Sequence, residues 1–287
     1  MSSSSGSLSW RRLYTDACIL RSLADVTFDV PSEARVLQAI ARLDHAVVIA
    51  GAPGEGRIDL VLDCIRHLQQ TYLLPRSFQA TASVQTEAEI TSVGKVSLSS
   101  SQIPCIDPPS LTTFRNVHSQ VPFILRGYIK GDTGWPAMNE HPWSSTQYLR
   151  SIAGPGRVVP VEVGNDYRDD DWTQKMMNWD DFLEALDSPD KPVDMLYLAQ
   201  HNLMMQFPEL RSDIIIPEYV YSFPEAPGDF PSYTPPGNDE ALVVNVWLGP
   251  KGTVSPAHTV SLHFILCLTP SLTINRTLTS IFTVNRM

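Results

Sequence analysis

The hydrophobic period of this chain changes partway along, and that change limits the folds open to it. Up to about residue 78, apolar side chains recur at i, i+3, i+4 and i+7, the repeat of an amphipathic helix. Trp10, Leu13, Tyr14, Ala17 and Cys18 form one stripe. Val36, Leu37, Ile40, Leu43 and Val47 form a second, and Ile58, Val61, Leu62, Ile65, Leu68 and Tyr72 a third. Turn formers at Pro31-Ser32 and across Gly51–Gly56 separate the stripes. After about residue 104 the apolar runs become short and β-branched. Val121–Arg126, Arg157–Val163 and Leu242–Leu248 read as strands of one sheet system, and Asp194–Leu198 is another short apolar run. Helices are expected between them over 144–153 and 179–186. Between the two regimes, Gln79–Ser101 is rich in Ser, Thr, Gln and Ala and reads as a linker. Ser222–Glu240 holds five prolines and reads as a surface loop.

Charge narrows the partners. The formal net charge is −10 and the isoelectric point about 5.1. Such a chain repels polyanions, which argues against direct binding to nucleic acid or to an anionic membrane and favours a basic, histone-like protein or peptide segment. No run reaches the ~18 apolar residues of a membrane span. The Ser-rich start lacks the apolar core of a secretory signal, so a nuclear or cytoplasmic location is expected. The cysteines at 18, 64, 105 and 267 are too scattered for a zinc site or a disulfide framework and read as reduced thiols. The sequon Asn275-Arg276-Thr277 has no meaning without a secretory route.

Most local motifs favour plain structural readings. Gly51–Arg57 resembles a phosphate-binding loop, but Arg57-Ile58 stands where Lys-Ser/Thr is needed and Glu55 would repel phosphate; it reads as a turn between helices. The acidic run 166–171, with Asp180, Asp181, Glu184 and Asp187, reads as a solvated face, some of which could meet a cationic ligand. Trp135 and Trp143, each beside a proline, read as packing residues. His45, His67, His118 and His141 lack the spacing of metal ligands.

The stretch 245–259, Asn-Val-Trp-Leu-Gly-Pro-Lys-Gly-Thr-Val-Ser-Pro-Ala-His-Thr, is more specific. It resembles the JmjC-domain, cupin-like oxygenases, most of all the subgroup of jumonji-domain-containing protein five, described as lysine demethylase and arginyl hydroxylase. Upstream blocks are similar in order: Val121–Gly127, Val159–Gly164 with Tyr167 and Asp171-Trp172, Tyr197–His201, and Pro208–Leu210. The resemblance implies an α+β chain in which an N-terminal helical domain, residues 10–78, and a linker, 79–103, precede an incomplete double-stranded β-helix (jelly-roll) over 104–259. It implies Fe(II) held by two His and one carboxylate, with 2-oxoglutarate as co-substrate. His258 matches the first iron ligand. Tyr197 and Ser255 match positions that bind the 2-oxoglutarate carboxylate, and Glu162 and Trp172 match positions near the substrate cleft.

The match then breaks. The family's His-x-Asp motif reads His258-Thr259-Val260 here, and valine has no lone pair for iron. No Asp or Glu follows Glu240, and His263 is the one further His among the 29 residues after His258. The segment 260–287 has no acidic residue and no glycine, and reads as a non-family tail on a truncated domain. Val260-Ser261 can be encoded GTAAGT, so translation through an unspliced intron is one expected origin. The function implied is a JmjC-type protein hydroxylase or histone lysine demethylase, inactive as written because two of three iron ligands are missing. A non-catalytic interaction scaffold is the alternative, and a nucleotide-binding domain at Gly51–Arg57 a third reading.

Overall fold

A serine begins the best-defined helix. The computed structural model describes residues 4–74, 103–119, 121, 123–125, 127–129, 134–164, 171–188, 195–221 and 242–250, and the backbone of 262–268 and 279–286. Helix α1 spans Ser4–Thr27, α2 Glu33–Ala50 and α3 Arg57–Tyr72. The Ser32 side chain caps α2 by accepting from the Arg35 N–H, and Glu33 sits favourably in the first turn. The second and third stripes meet as their period requires. Val36, Ala39, Ile40, Leu43 and Val47 pack with Val61, Ile65 and Leu68, and Ile19 of α1 closes the cluster. Full burial of each such side chain stabilises by about 1.5–3 kcal/mol.

Most of the first stripe faces elsewhere, with Cys18 the exception. Trp10, Leu13 and Tyr14 are exposed, whereas Thr15, Cys18, Ile19 and Ser22 are buried. The reason is hydrogen bonding to α2. Ser22 donates to the Ala39 carbonyl, and Arg11 donates to the Ala50 carbonyl at 2.6 Å. These polar contacts rotate α1 so that a mixed face, not the most apolar one, is inside.

After the short strand β1 (Cys105–Ile106), a single turn α4 (Leu111–Thr113) and β2 (Ile124–Leu125), the chain builds a larger sheet. Its strands are β3 (Val158–Val163), β4 (Thr173–Asn178), β5 (Leu196–His201), β6 (Leu242–Gly249), β7 (Leu262–Leu268) and β8 (Thr279–Arg286), in the order β4-β3-β5-β6-β8-β7, all antiparallel. Helices α5 (Thr146–Ala153), α6 (Trp179–Asp187) and α7 (Leu203–Gln206) complete it.

One expectation needs correction, and three further features lie beyond what the sequence pattern predicts. The 121–126 run does not join the main sheet: β2 pairs with β1, in parallel, as a separate two-stranded sheet. Strand β4 was not anticipated, because Thr-Gln-Lys-Met-Met-Asn lacks an apolar alternation; its full ladder with β3 holds it in place. The helices also contact the region that carries the sheet. Gln69 of α3 donates to the carbonyls of Ala153 and Pro155, and Asp44 of α2 pairs with Arg157. Gly156 makes this contact possible: its φ is +83°, and a Cβ there would lie 2.8 Å from Leu37. The segment expected to be a foreign tail contributes β7 and β8, the latter paired along the whole of β6. The expected linker 79–103 and the loop 222–240 lie almost wholly outside the described residues.

Candidate active face of the sheet

Residues on a strand alternate between faces, so the buried core identifies the other side. Val159, Val161 and Val163 of β3, Leu196 and Leu198 of β5, and Val244, Val246 and Leu248 of β6 pack with Trp179, Phe182, Leu183 and Leu149. Trp135 and Trp143 are buried in the same core, as packing residues. Glu162, Tyr197, Asn245 and Trp247 therefore occupy the opposite face. Leu198 lies opposite Leu248, which keeps β5 and β6 in phase across the sheet.

Two expected site residues are cross-strand neighbours: Glu162 of β3 lies directly opposite Tyr197 of β5. A third, Trp172, joins them, since its side chain hydrogen-bonds Glu162. Trp172 comes this close because Gly164, at the far end of β3, has no Cβ. One built there would sit 3.2 Å from the Trp172 Cα. The electrostatics fit a partly desolvated polar face. Burial pushes the Glu162 carboxyl above its ordinary value, and the Trp172 hydrogen bond draws part of that back. Burial, then the neighbouring Glu162 charge, pushes the Tyr197 phenol up to about 12. At neutral pH Tyr197 is thus a hydrogen-bond donor.

Ser255, His258 and Val260 lie outside the described residues. Among the described residues no three His, Cys, Asp or Glu side chains come together as a metal site. The phosphate-loop reading fails on its own residues: Arg57 Nε is 2.7 Å from Asp16, engaged in an ion pair rather than open to a phosphate. Among the described residues no helix is long and apolar enough to cross a membrane.

The sequence reading passed over Asn245 and Trp247, which share the face with Tyr197 and are both buried. The signal was available. In Val-Val-Asn-Val-Trp-Leu, a polar residue and an aromatic alternate with aliphatics, and that alternation alone assigns them to the non-core side.

Comparison with known proteins agrees with this arrangement. The cupin-like domain family matches residues 110–269, reaching ten residues beyond Thr259. "Lysine-specific demethylase 8" of Danio rerio is 30% identical over 252 residues, covering 87% of this chain and 58% of its own length. A match that long extends back into the N-terminal helices. "Jumonji C domain-containing protein 5" of Drosophila melanogaster is 37% identical over 175 residues, covering 59% of this chain and 39% of its own. "Lysine-specific demethylase JMJ30" of Arabidopsis thaliana is 39% identical over 133 residues, covering 46% and 27%. The chain thus spans between about a quarter and three fifths of these relatives. The family match takes in more than half of the chain, and it coincides with the strands that carry Glu162, Tyr197 and Trp247: this chain belongs to the cupin-like, JmjC-domain family.

Proposed function

We propose that this chain descends from JmjC-type protein hydroxylases or lysine demethylases and keeps their substrate-side face without their iron chemistry. The observation that carries the reading is a contrast within the family-matched region. Glu162, Trp172 and Tyr197 converge on one polar sheet face, while the metal motif reads His258-Thr259-Val260. Two of these relatives are named as lysine-specific demethylases, and membership of the JmjC family implies Fe(II) and 2-oxoglutarate as the means of activating oxygen. The donors in this motif do not fit that metal. A single imidazole without the adjacent carboxylate gives weak, exchangeable binding, because affinity comes from several ligands held together.

What the described residues can do is bind. Tyr197 presents a phenolic O–H beside a carboxylate, the donor a 2-oxoglutarate carboxylate takes. Glu162 offers an acceptor to a lysine or arginine side chain of a basic peptide, and a cation there would favour its ionised form. The decisive measurement is 2-oxoglutarate decarboxylation by the purified chain with excess iron(II) and ascorbate. No turnover is expected, and Val260→Asp should tighten iron(II) binding. Turnover that His258→Ala or Tyr197→Phe abolishes would overturn the reading. Binding of Lys/Arg-rich peptides should weaken with added salt, as charges are screened over roughly 10 Å at 0.1 M. Glu162→Gln should reduce that dependence.

A further inference from the structure

The strands that bear Glu162 and Tyr197 are joined by an incomplete ladder. Strands β3 and β5 pair at Glu162–Tyr197 and Val163–Leu196. The same register carried on would set Val158 opposite His201. Instead the paired ladder ends after those two positions, and β5 is irregular there: Gln200 has φ +49°, and the β5–β6 register shifts between Leu198 and His201.

Side chains fill the gap, and the central one comes from the helices. Asp44 of α2 is fully buried. One of its oxygens accepts the Val158 N–H at 2.9 Å. Its carboxylate takes the Arg157 guanidinium through contacts of 2.8, 2.9 and 3.1 Å. Gln206, also fully buried, donates its amide to Asp44 at 2.7 Å and to the Val158 carbonyl at 3.0 Å. With both amide protons used, its oxygen accepts from His201 Nε2 at 2.6 Å. Arg157 donates further to the Gln206 carbonyl and lies 4.5 Å over the Phe207 ring. The Asp44 carboxylate on the β3 side, and the Gln206 amide it holds between Val158 and His201, therefore stand where rungs between two strands would be.

We infer that Asp44 is a positioning residue for the polar sheet face: through Arg157, Val158, Gln206 and His201 it sets the spacing of β3 and β5, and so of Glu162 and Tyr197. The functional importance of that spacing rests on the reading of this face given above; the structural coupling does not. The N-terminal helices are, on this inference, part of the site's framework rather than an attached module. A buried network of this kind is strong only when every member is satisfied, so one substitution propagates along it.

The test uses the full chain without iron or 2-oxoglutarate, so that it is independent of whether the chain has activity. Asp44→Asn keeps the volume and removes the charge. Amide exchange in peptides covering 158–163 and 196–201 is expected to rise at least tenfold, while peptides of α3 stay as in wild type. In protein carrying 3-fluorotyrosine, the 19F signal assigned to Tyr197 by its loss in Tyr197→Phe should shift or broaden, although Asp44 does not touch that ring. An unmoved Tyr197 signal, or an exchange increase spread evenly over the chain, would overturn the inference and leave Asp44 with a role in stability alone. Should Asp44→Asn fail to fold, Gln206→Met carries the same test. It cuts the link to His201 while leaving the Asp44–Arg157 pair, and the same two readouts decide.

Discussion

Asp44 and Asp213 are both fully buried carboxylates, yet the molecule satisfies them in opposite ways. Asp44 meets a full positive charge, the Arg157 guanidinium, in a bidentate pair across more than a hundred residues of sequence. Asp213, in the turn after Pro208, is met by the donors of a single neighbourhood. It accepts from Trp143 Nε1 at 2.9 Å and from the Tyr148 hydroxyl at 2.6 Å, and it bonds His141 Nδ1 at 2.6 Å. His141 also stacks on Tyr148, with planes 9° apart. The second arrangement shares one carboxylate among three neighbouring side chains and knits the entry of α5 to one turn. The first holds two regions of the fold together through a charge pair. The lesson is that a buried carboxylate reports how far its structural reach extends by what neutralises it.

The comparison can be broken most severely at Asp44. Asp44→Ala leaves the Arg157 guanidinium buried without its counter-charge, and chemical denaturation should show a loss of about 3–5 kcal/mol. Equal stability of Asp44→Ala and wild type would mean that the pair carries no net weight. Asp213→Asn should cost less, about 1–3 kcal/mol, because one acceptor oxygen remains while the new amide faces buried donors. A cost above that of Asp44→Ala would reverse the ranking drawn here.

A smaller effect sharpens the contrast through pH. His201 lies in the Asp44 network, and burial holds its pKa below the ordinary imidazole value, against the opposing pull of Gln206 and Asp44. The unfolded chain therefore binds the proton more readily. The His201 contribution to stability should be complete above about pH 6.5 and should fall as pH drops below it. Glu162 acts in the other sense. Its carboxyl is raised on folding, so its contribution declines as pH rises above the ordinary glutamate range. Unfolding curves at pH 5.5 and 7.5 for wild type and His201→Gln should separate the two: the variant should lose the acid-side weakening that wild type shows. The least effect is expected at the surface pair of Arg57 and Asp16, where both side chains are substantially exposed. Arg57→Ala should leave the melting temperature within experimental error.

Much of the candidate face was legible in the sequence. Glu162, Trp172 and Tyr197 were marked by the ordered family blocks, and the strand register sets the first and last of them opposite each other. What pattern could not supply was the phase of α1. Trp10, Leu13 and Tyr14 make a good stripe, but Ser22 and Arg11 bond α2 from the other side. Asp44 went unremarked although it interrupts an apolar helix face between Leu43 and Val47. A charge at such a position signals a partner, yet nothing local identifies that partner as Arg157.

The sequence by itself determined the helical period of the first third, the strand at Leu242–Leu248, the family-like blocks and the substitution of valine at position 260. These depend on periodicity and residue chemistry, which act over a few neighbours. Tertiary structure alone decided that β4 joins β3, that the 121–126 run pairs outside the main sheet, and that a helical carboxylate completes the opening between β3 and β5. Those outcomes depend on hydrogen-bond partners and buried charges brought together from distant positions, and no local pattern encodes which of them will meet.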